Sequence, residues 1–196
     1  MGRRRAGGRR RSNQLRIIGG QWRSRRLEFP DAPGLRPTPD RVRETLYNWL
    51  APQIGGARLL DCFAGSGALF LEGLSRGAAS GVALELDPQA ATSLQANLHL
   101  LGADNAKVYN LDSNGWLNRP AIQQFDIVLL DPPFHQDLLE RSCHLLQERG
   151  WLATDALVYT ESEQPPSELD LPDNWQPYRE KHAGQVYYAL WKVRGC

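Results

Sequence analysis

Residues 59–73 read LLDCFAGSGALFLEG, and the place where that stretch breaks decides the fold. A short apolar run ends on an acid, Asp61, two glycines follow at Gly65 and Gly67, and a helical apolar pattern then begins. Strand, glycine turn and helix make the opening unit of an open α/β sheet, whose ligands sit at the carboxyl ends of its strands. Outward from it the alternation continues. GVALEL (81–86) reads as a strand, PQAATSLQANLHLLG (88–102) as a helix, AKVYN (106–110) as a strand, SNGWL (113–117) as a short helix or turn and FDIVLL (125–130) as a strand. HQDLLERSCHLLQERG (135–150) is an amphipathic helix closed by Gly150, and ALVYTES (156–162) a further strand. After a proline-rich connection, residues 174–193 read as a hairpin turned at Ala183-Gly184. These elements predict a mostly parallel sheet, helices on both faces, with an antiparallel hairpin at its end.

Ahead of this unit lie a basic arm, a hairpin and a helix. Residues 1–26 hold ten arginines and no acid, leaving 13 basic against 22 acidic residues and a formal charge of −9 for the rest. A basic arm on an acidic body points to a polyanionic partner such as nucleic acid, or else to a solvated tail. LRIIGGQWRSRRLEF (15–29) reads as two strands around Gly19-Gly20, the second alternating bulky and basic side chains. DRVRETLYNWL (40–50) reads as a helix capped by Thr38 or Asp40, with Arg41 and Arg43 off its apolar stripe. The expected organisation is a disordered arm over 1–14, a hairpin and RNA-contacting loop over 15–36, and a catalytic domain over 37–196. Three cysteines without a CxxC pair and four histidines without zinc spacing predict no disulfide scaffold and no metal site. No apolar run reaches signal or membrane-span length, reduced thiols fit a cytoplasmic protein, and with no surface stripe that reads as a dimer face a monomer is expected.

The acids identify the ligand. Glu85 ends the strand after Asp61, where a carboxylate can accept both hydroxyls of a ribose. A dinucleotide site would place a third glycine where Phe70 stands, and Asp61 would repel a pyrophosphate. S-Adenosylmethionine, with an ammonium, a sulfonium and an adenosine, suits both acids. Asp112 and Ser113, after the third strand, are placed to meet its adenine.

VLLDPPFH (128–135) then explains itself. The amino group of a nucleobase is a poor nucleophile because its lone pair is delocalised into the ring. Asp131 and the carbonyl of Pro132 can accept its two N–H bonds and aim the nitrogen at the methyl carbon, while Pro133 stiffens the loop. Phe134 can stack on the base.

Together these motifs resemble class I S-adenosylmethionine-dependent amino-methyltransferases. With residues 16–50 and AGQVYYAL (183–190), the chain closely resembles the bacterial 16S rRNA (guanine-N2) methyltransferase D family, over residues 15–193. That resemblance implies a Rossmann-like, seven-stranded sheet with a C-terminal antiparallel hairpin and a small N-terminal hairpin extension. It implies methylation of N2 of one guanine in 16S rRNA, within the small ribosomal subunit or a late assembly intermediate. The cofactor pocket falls on Asp61, Phe63, Ala64, Gly65, Ser66, Gly67, Glu85, Leu86, Asp112 and Ser113, and is joined by Thr38, Arg41 and Glu44. The catalytic loop falls on Asp131, Pro132, Pro133 and Phe134. RNA contacts are expected at Arg16, Trp22, Arg23, Arg25, Arg26, Arg36 and Arg43. Phe70 departs from the small residue expected in the first helix. The alternatives are an adenine-N6 methylase, which would normally carry a recognition insert, and a glutamine methylase, which would favour Asn at Asp131. A non-catalytic RNA-binding assembly factor would have no reason to keep Asp61, Glu85 and Asp131.

Overall fold

The computed structural model describes residues 12–31, 35, 37–134 and 136–194. The elements are β1 (Ser12–Arg16), β2 (Arg26–Pro30), α1 (Asp40–Leu50), β3 (Arg58–Asp61), α2 (Ala68–Ser75), β4 (Ser80–Glu85), α3 (Pro88–Leu101), β5 (Ala106–Asn110), α4 (Ser113–Leu117), β6 (Phe125–Leu130), α5 (Leu138–Glu148), β7 (Leu152–Ser162), a 3₁₀ turn (Pro166–Glu168), β8 (Trp175–Ala183) and β9 (Val186–Val193). The expected mostly parallel sheet forms. Its order is β5-β4-β3-β6-β7-β9-β8, with β5 to β7 parallel and β9 antiparallel to both β7 and β8.

The period-two alternation of these strands divides the core. Leu59, Ala83, Ile127, Leu129, Leu157 and Tyr159 face α1, α2, α3 and the N-terminal hairpin. Leu60, Leu84, Val128, Leu130 and Val158 face α4 and α5. Local signals set the helix ends. Asp87 caps α3 by accepting from Gln89 N and Ala90 N at 2.8 Å each, Pro88 follows, and Gly102 closes the helix in the left-handed region. Gly67 turns into α2 at φ 78°, and a Cβ there would lie 2.4 Å from Leu94 Cδ1. The departure at Phe70 has a partner: its ring covers Gly81 on β4, where a Cβ would come within 2.7 Å of it.

Three expectations need correction. The hairpin does not turn at Gly19-Gly20; β1 and β2 are joined by residues 17–25, with Leu15 opposite Leu27. Trp22, Arg23 and Arg25 therefore lie in the turn rather than on a strand, held by Ile17 N–H to Arg25 O and Arg25 N–H to Trp22 O. Residues 12–14 belong to β1, whereas residues 1–11 of the expected arm lie outside the described residues. Neither Thr38 nor Asp40 caps α1; the cap position is Pro39, and both side chains are bonded elsewhere.

The hairpin is fastened by a buried acid. Glu72 of α2, fully buried, accepts from Ile18 N at 2.9 Å and Gly19 N at 2.8 Å. It also pairs with Arg76 at 2.7 Å and Arg43 at 3.4 Å. Arg43, buried as deeply, donates to Arg16 O at 3.0 Å and Thr38 O at 3.1 Å and pairs with Asp40. Glu72→Ala leaves Arg43 as a buried cation with one carboxylate fewer and two amides unsatisfied. It should cost about 3–5 kcal/mol in urea denaturation. A loss no larger than that of an exposed helix position would show that the network does not fasten the hairpin.

Candidate active site

The strand ends bring the acids together. Asp61, the last residue of β3, lies between Ala83 of β4 and Leu129 of β6. Two residues further on, Glu85 and Asp131 fall on the same face, because side chains alternate along a strand. They open into one cavity of about 780 Å³, also lined by Leu35, Thr38, Phe63, Ala64, Gly65, Ser66, Leu86, Asp112, Ser113, Pro132, Pro133 and Phe134.

Each acid has a distinct environment. Asp61 is 1% exposed and accepts one bond, from Phe63 N at 3.2 Å. Burial outweighs that bond and, with the charges of Asp131 and Glu85 adding, pushes the Asp61 carboxyl up to about 8. A buried carboxylate this poorly compensated favours a cationic ligand group. Glu85 accepts from Gly65 N at 2.6 Å and Asp87 N at 2.7 Å, which holds the glycine turn against β4. Asp112 caps α4 through Gly115 N at 2.6 Å, and Ser113 donates to the carbonyl of Cys62. Leu86, 68% exposed, offers an apolar surface beside them. The donor set fits S-adenosylmethionine: Asp61 for its cationic end, Glu85 for ribose hydroxyls, and Leu86, Asp112 and Ser113 for adenine.

At the other end, Thr38 directs its hydroxyl at Asp131 Oδ2, 3.5 Å away. Burial pushes the Asp131 carboxyl up to about 6, against the pull of Thr38. Pro132 is buried, while Pro133 and Phe134 stand exposed at the cavity mouth. The neighbour that sequence reasoning missed is Glu161. Leu130 pairs with Thr160, so the next position on β7 sets Glu161 beside Asp131. Glu161 is buried and accepts from Tyr159 OH at 2.8 Å; burial first, then the charge of Asp131, push it up to about 8. Burial raises both carboxyls and the charge of Asp131 raises Glu161 further, so near neutral pH the pair favours a single negative charge. The signal was present in ALVYTES, another apolar strand ending on an acid. Leu35 was missed too, and no local pattern marks it.

Other site residues fall elsewhere. Gly67 shapes the turn without lining the cavity, and Arg41 and Glu44 are exposed on α1, outside it. Arg43, expected to meet RNA, is 1% exposed and fully engaged by Glu72, Asp40 and two carbonyls, so it is not available to a phosphate. Arg16 is exposed but paired with Asp40 at 3.3 Å. Trp22 N bonds Ser75 Oγ at 3.0 Å, and Arg25 reaches Leu100 O at 3.5 Å. Those partners end α2 and α3, whose first residues lie at the cavity. The hairpin turn thus sits at the far edge of the sheet, about 12–20 Å away for helices of the lengths of α2 and α3. Arg23 and Arg26 are exposed, and Arg36 lies outside the described residues.

Comparison with known proteins agrees with this geometry. The family described as "Conserved hypothetical protein 95" matches residues 15–192. Ribosomal RNA small subunit methyltransferase D of Escherichia coli (strain K12) is 53% identical over 181 residues, covering 92% of this chain and 91% of that protein. The Haemophilus influenzae protein of the same name is 46% identical, covering 91% of this chain and 94% of its own. The solved structure of yhhF from Escherichia coli, named as a candidate methyltransferase, superposes with a TM-score of 0.86 at 51% identity, covering 94% of this chain and all of that one. The chain belongs to the ribosomal RNA small subunit methyltransferase D family, within the class I S-adenosylmethionine-dependent methyltransferases.

Proposed function

We propose that this protein transfers the methyl group of S-adenosylmethionine to the exocyclic N2 of a guanine in 16S rRNA of the small ribosomal subunit. The observation that carries the reading is Asp131. It is a half-buried carboxylate followed by two prolines, on the same sheet edge as the cofactor acids. The names of the curated relatives support rRNA as the substrate.

When bound, S-adenosylmethionine supplies an electrophilic methyl carbon on a sulfonium, which leaves as a neutral thioether. The chain's own part is to hold and charge the nucleophile. Asp131 and the Pro132 carbonyl accept the amine's N–H bonds and favour the positive charge that grows on nitrogen, and Asp131 can take the proton that the methylated nitrogen sheds and pass it to solvent. Guanine suits an all-acceptor lip, since N1–H lies beside the N2 amine; adenine would set an acceptor nitrogen there. Phe134, exposed at the mouth, offers a ring for the base. Glu161 lies beside it and both carboxyls are raised, so the pair favours a single charge.

Asp131→Ala should abolish transfer of labelled methyl to small subunits from a strain lacking the modification, and leave cofactor affinity within a few-fold. Equal loss of both would remove Asp131 from the chemical step. The labelled nucleoside should be N2-methylguanosine; N6-methyladenosine would move the reading to an adenine methylase.

Because Asp131 must be ionised and its carboxyl sits at about 6, turnover at saturating substrates should rise through about pH 6. A rate flat from pH 5 to 9 contradicts this.

Asp61 gives a stability test. Its folded-state carboxyl is raised from 3.8 to about 8, so its contribution is fully present below the unfolded value and is lost as pH rises toward 8. Asp61→Asn should therefore melt above the wild-type cofactor-free protein at pH 8, by several degrees, with the gap closing toward pH 4, and should no longer bind cofactor. A variant that melts lower at pH 8 would refute the account of Asp61 as an uncompensated charge.

A further inference from the structure

The turn arginines, Arg23 and Arg25, stand near the far ends of α2 and α3, so phosphates close to the cavity mouth call for cations elsewhere. On the face that carries Asp131, the sheet continues through β7, β9 and β8. Glu161 lies beside Asp131, Tyr188 pairs with Glu161, and Lys181 pairs with Tyr188. One row of side chains thus runs from the catalytic carboxylate to an ammonium group on the outermost strand. Three strand spacings put Lys181 about 14 Å from Asp131.

Arg179 lies two residues back on the same face, opposite Leu190. The alternation turns Glu180 and His182 to the other face, so two cations share one surface without the acid between them. Both are exposed, and among the described residues neither has a carboxylate within ion-pair distance. Arg179 is also held in place, its guanidinium 4.5 Å over the half-exposed ring of Tyr178. On a body with a formal charge of −9, two cations on one face with no carboxylate within ion-pair distance among the described residues are complementary to a polyanion.

We propose that β8 is a second RNA-contact surface, where Lys181 and Arg179 hold backbone phosphates flanking the target nucleotide while Asp131 receives its base. This rests on the rRNA methyltransferase reading and extends it to the path of the substrate, from the cavity mouth toward the outer edge of the sheet. Phosphate contacts of this kind set register and affinity without reading sequence.

The test is the double variant Arg179→Glu/Lys181→Glu, with Lys181→Arg as the conservative control. It measures both binding to unmodified small subunits over a salt series and methyl transfer. The double variant should raise KM for subunits about tenfold or more, with kcat and cofactor affinity unchanged. Its log–log salt slope should be shallower by about 1.4, the value for two phosphate contacts on a single strand. Lys181→Arg should behave as wild type. Unchanged binding and KM in the double variant, with wild type active, would overturn the surface alone. Weakened binding with an unchanged salt slope would also overturn it, assigning β8 to a protein neighbour. Wild-type protein that binds subunits through Lys181 but transfers no methyl would support the surface and sink the functional reading. If wild type shows neither binding nor transfer, both fall.

Discussion

Parallel strands all end at one edge, and in this sheet four of them carry an acid there on the same face. Asp61, Glu85, Asp131 and Glu161 follow from β3, β4, β6 and β7, which are neighbours in the sheet. Each side chain follows apolar residues of its own strand, so it leaves the core at the point where the sheet stops. Burial raises the carboxyls of Asp61, Asp131 and Glu161 together. That costs stability in the free protein and leaves a deficit of positive charge that a cationic ligand can fill. The same edge therefore selects the cofactor and sets the charge of the catalytic group.

The edge is held by a second buried group of charges that touches no ligand. Glu72 and Arg43 bind the N-terminal hairpin to α1 and α2, and Arg43 also fixes the carbonyl of Thr38. The Thr38 hydroxyl points at Asp131. A continuous set of bonds thus runs from residues 16–19 to the catalytic carboxylate, although the hairpin turn lies far from the cavity. The hairpin's structural role is in these bonds: without them, the Thr38 loop would close the cavity on one side with no support behind it.

The legible part of the protein was whatever depends on local pattern. Apolar runs ending in acids gave the strands, their direction and most of the cavity, and Asp87, Pro88 and Gly102 marked α3 to the residue. What was not legible depends on partners distant in sequence. Arg43 reads as a solvent-facing position on α1, because its partner Glu72 is 29 residues away in a helix that otherwise looks uniformly apolar. The turn at residues 17–25 is set by Ser75 as much as by its own glycines: Gly20, at φ 78°, lies so close to the Ser75 carbonyl that a Cβ would come within 1.8 Å of it. Phe70 seemed a departure only because Gly81, which makes room for its ring, lies on another strand.

Glu161 also explains why a second acid beside Asp131 is tolerable. Two adjacent buried carboxylates cannot both ionise cheaply, so one must keep its proton. Tyr159 donates to Glu161 on its own strand, and Tyr188, buried against Trp49 at 5.7 Å, separates it from Lys181 at the edge. Asp131 opens to the cavity, where a substrate amine can compensate its charge, whereas Glu161 does not line it. A substrate amine thus draws the pair's negative charge onto the group that meets the nucleophile, while Lys181 at the far end of the row, with no carboxylate within ion-pair distance among the described residues, is open to a partner from solution.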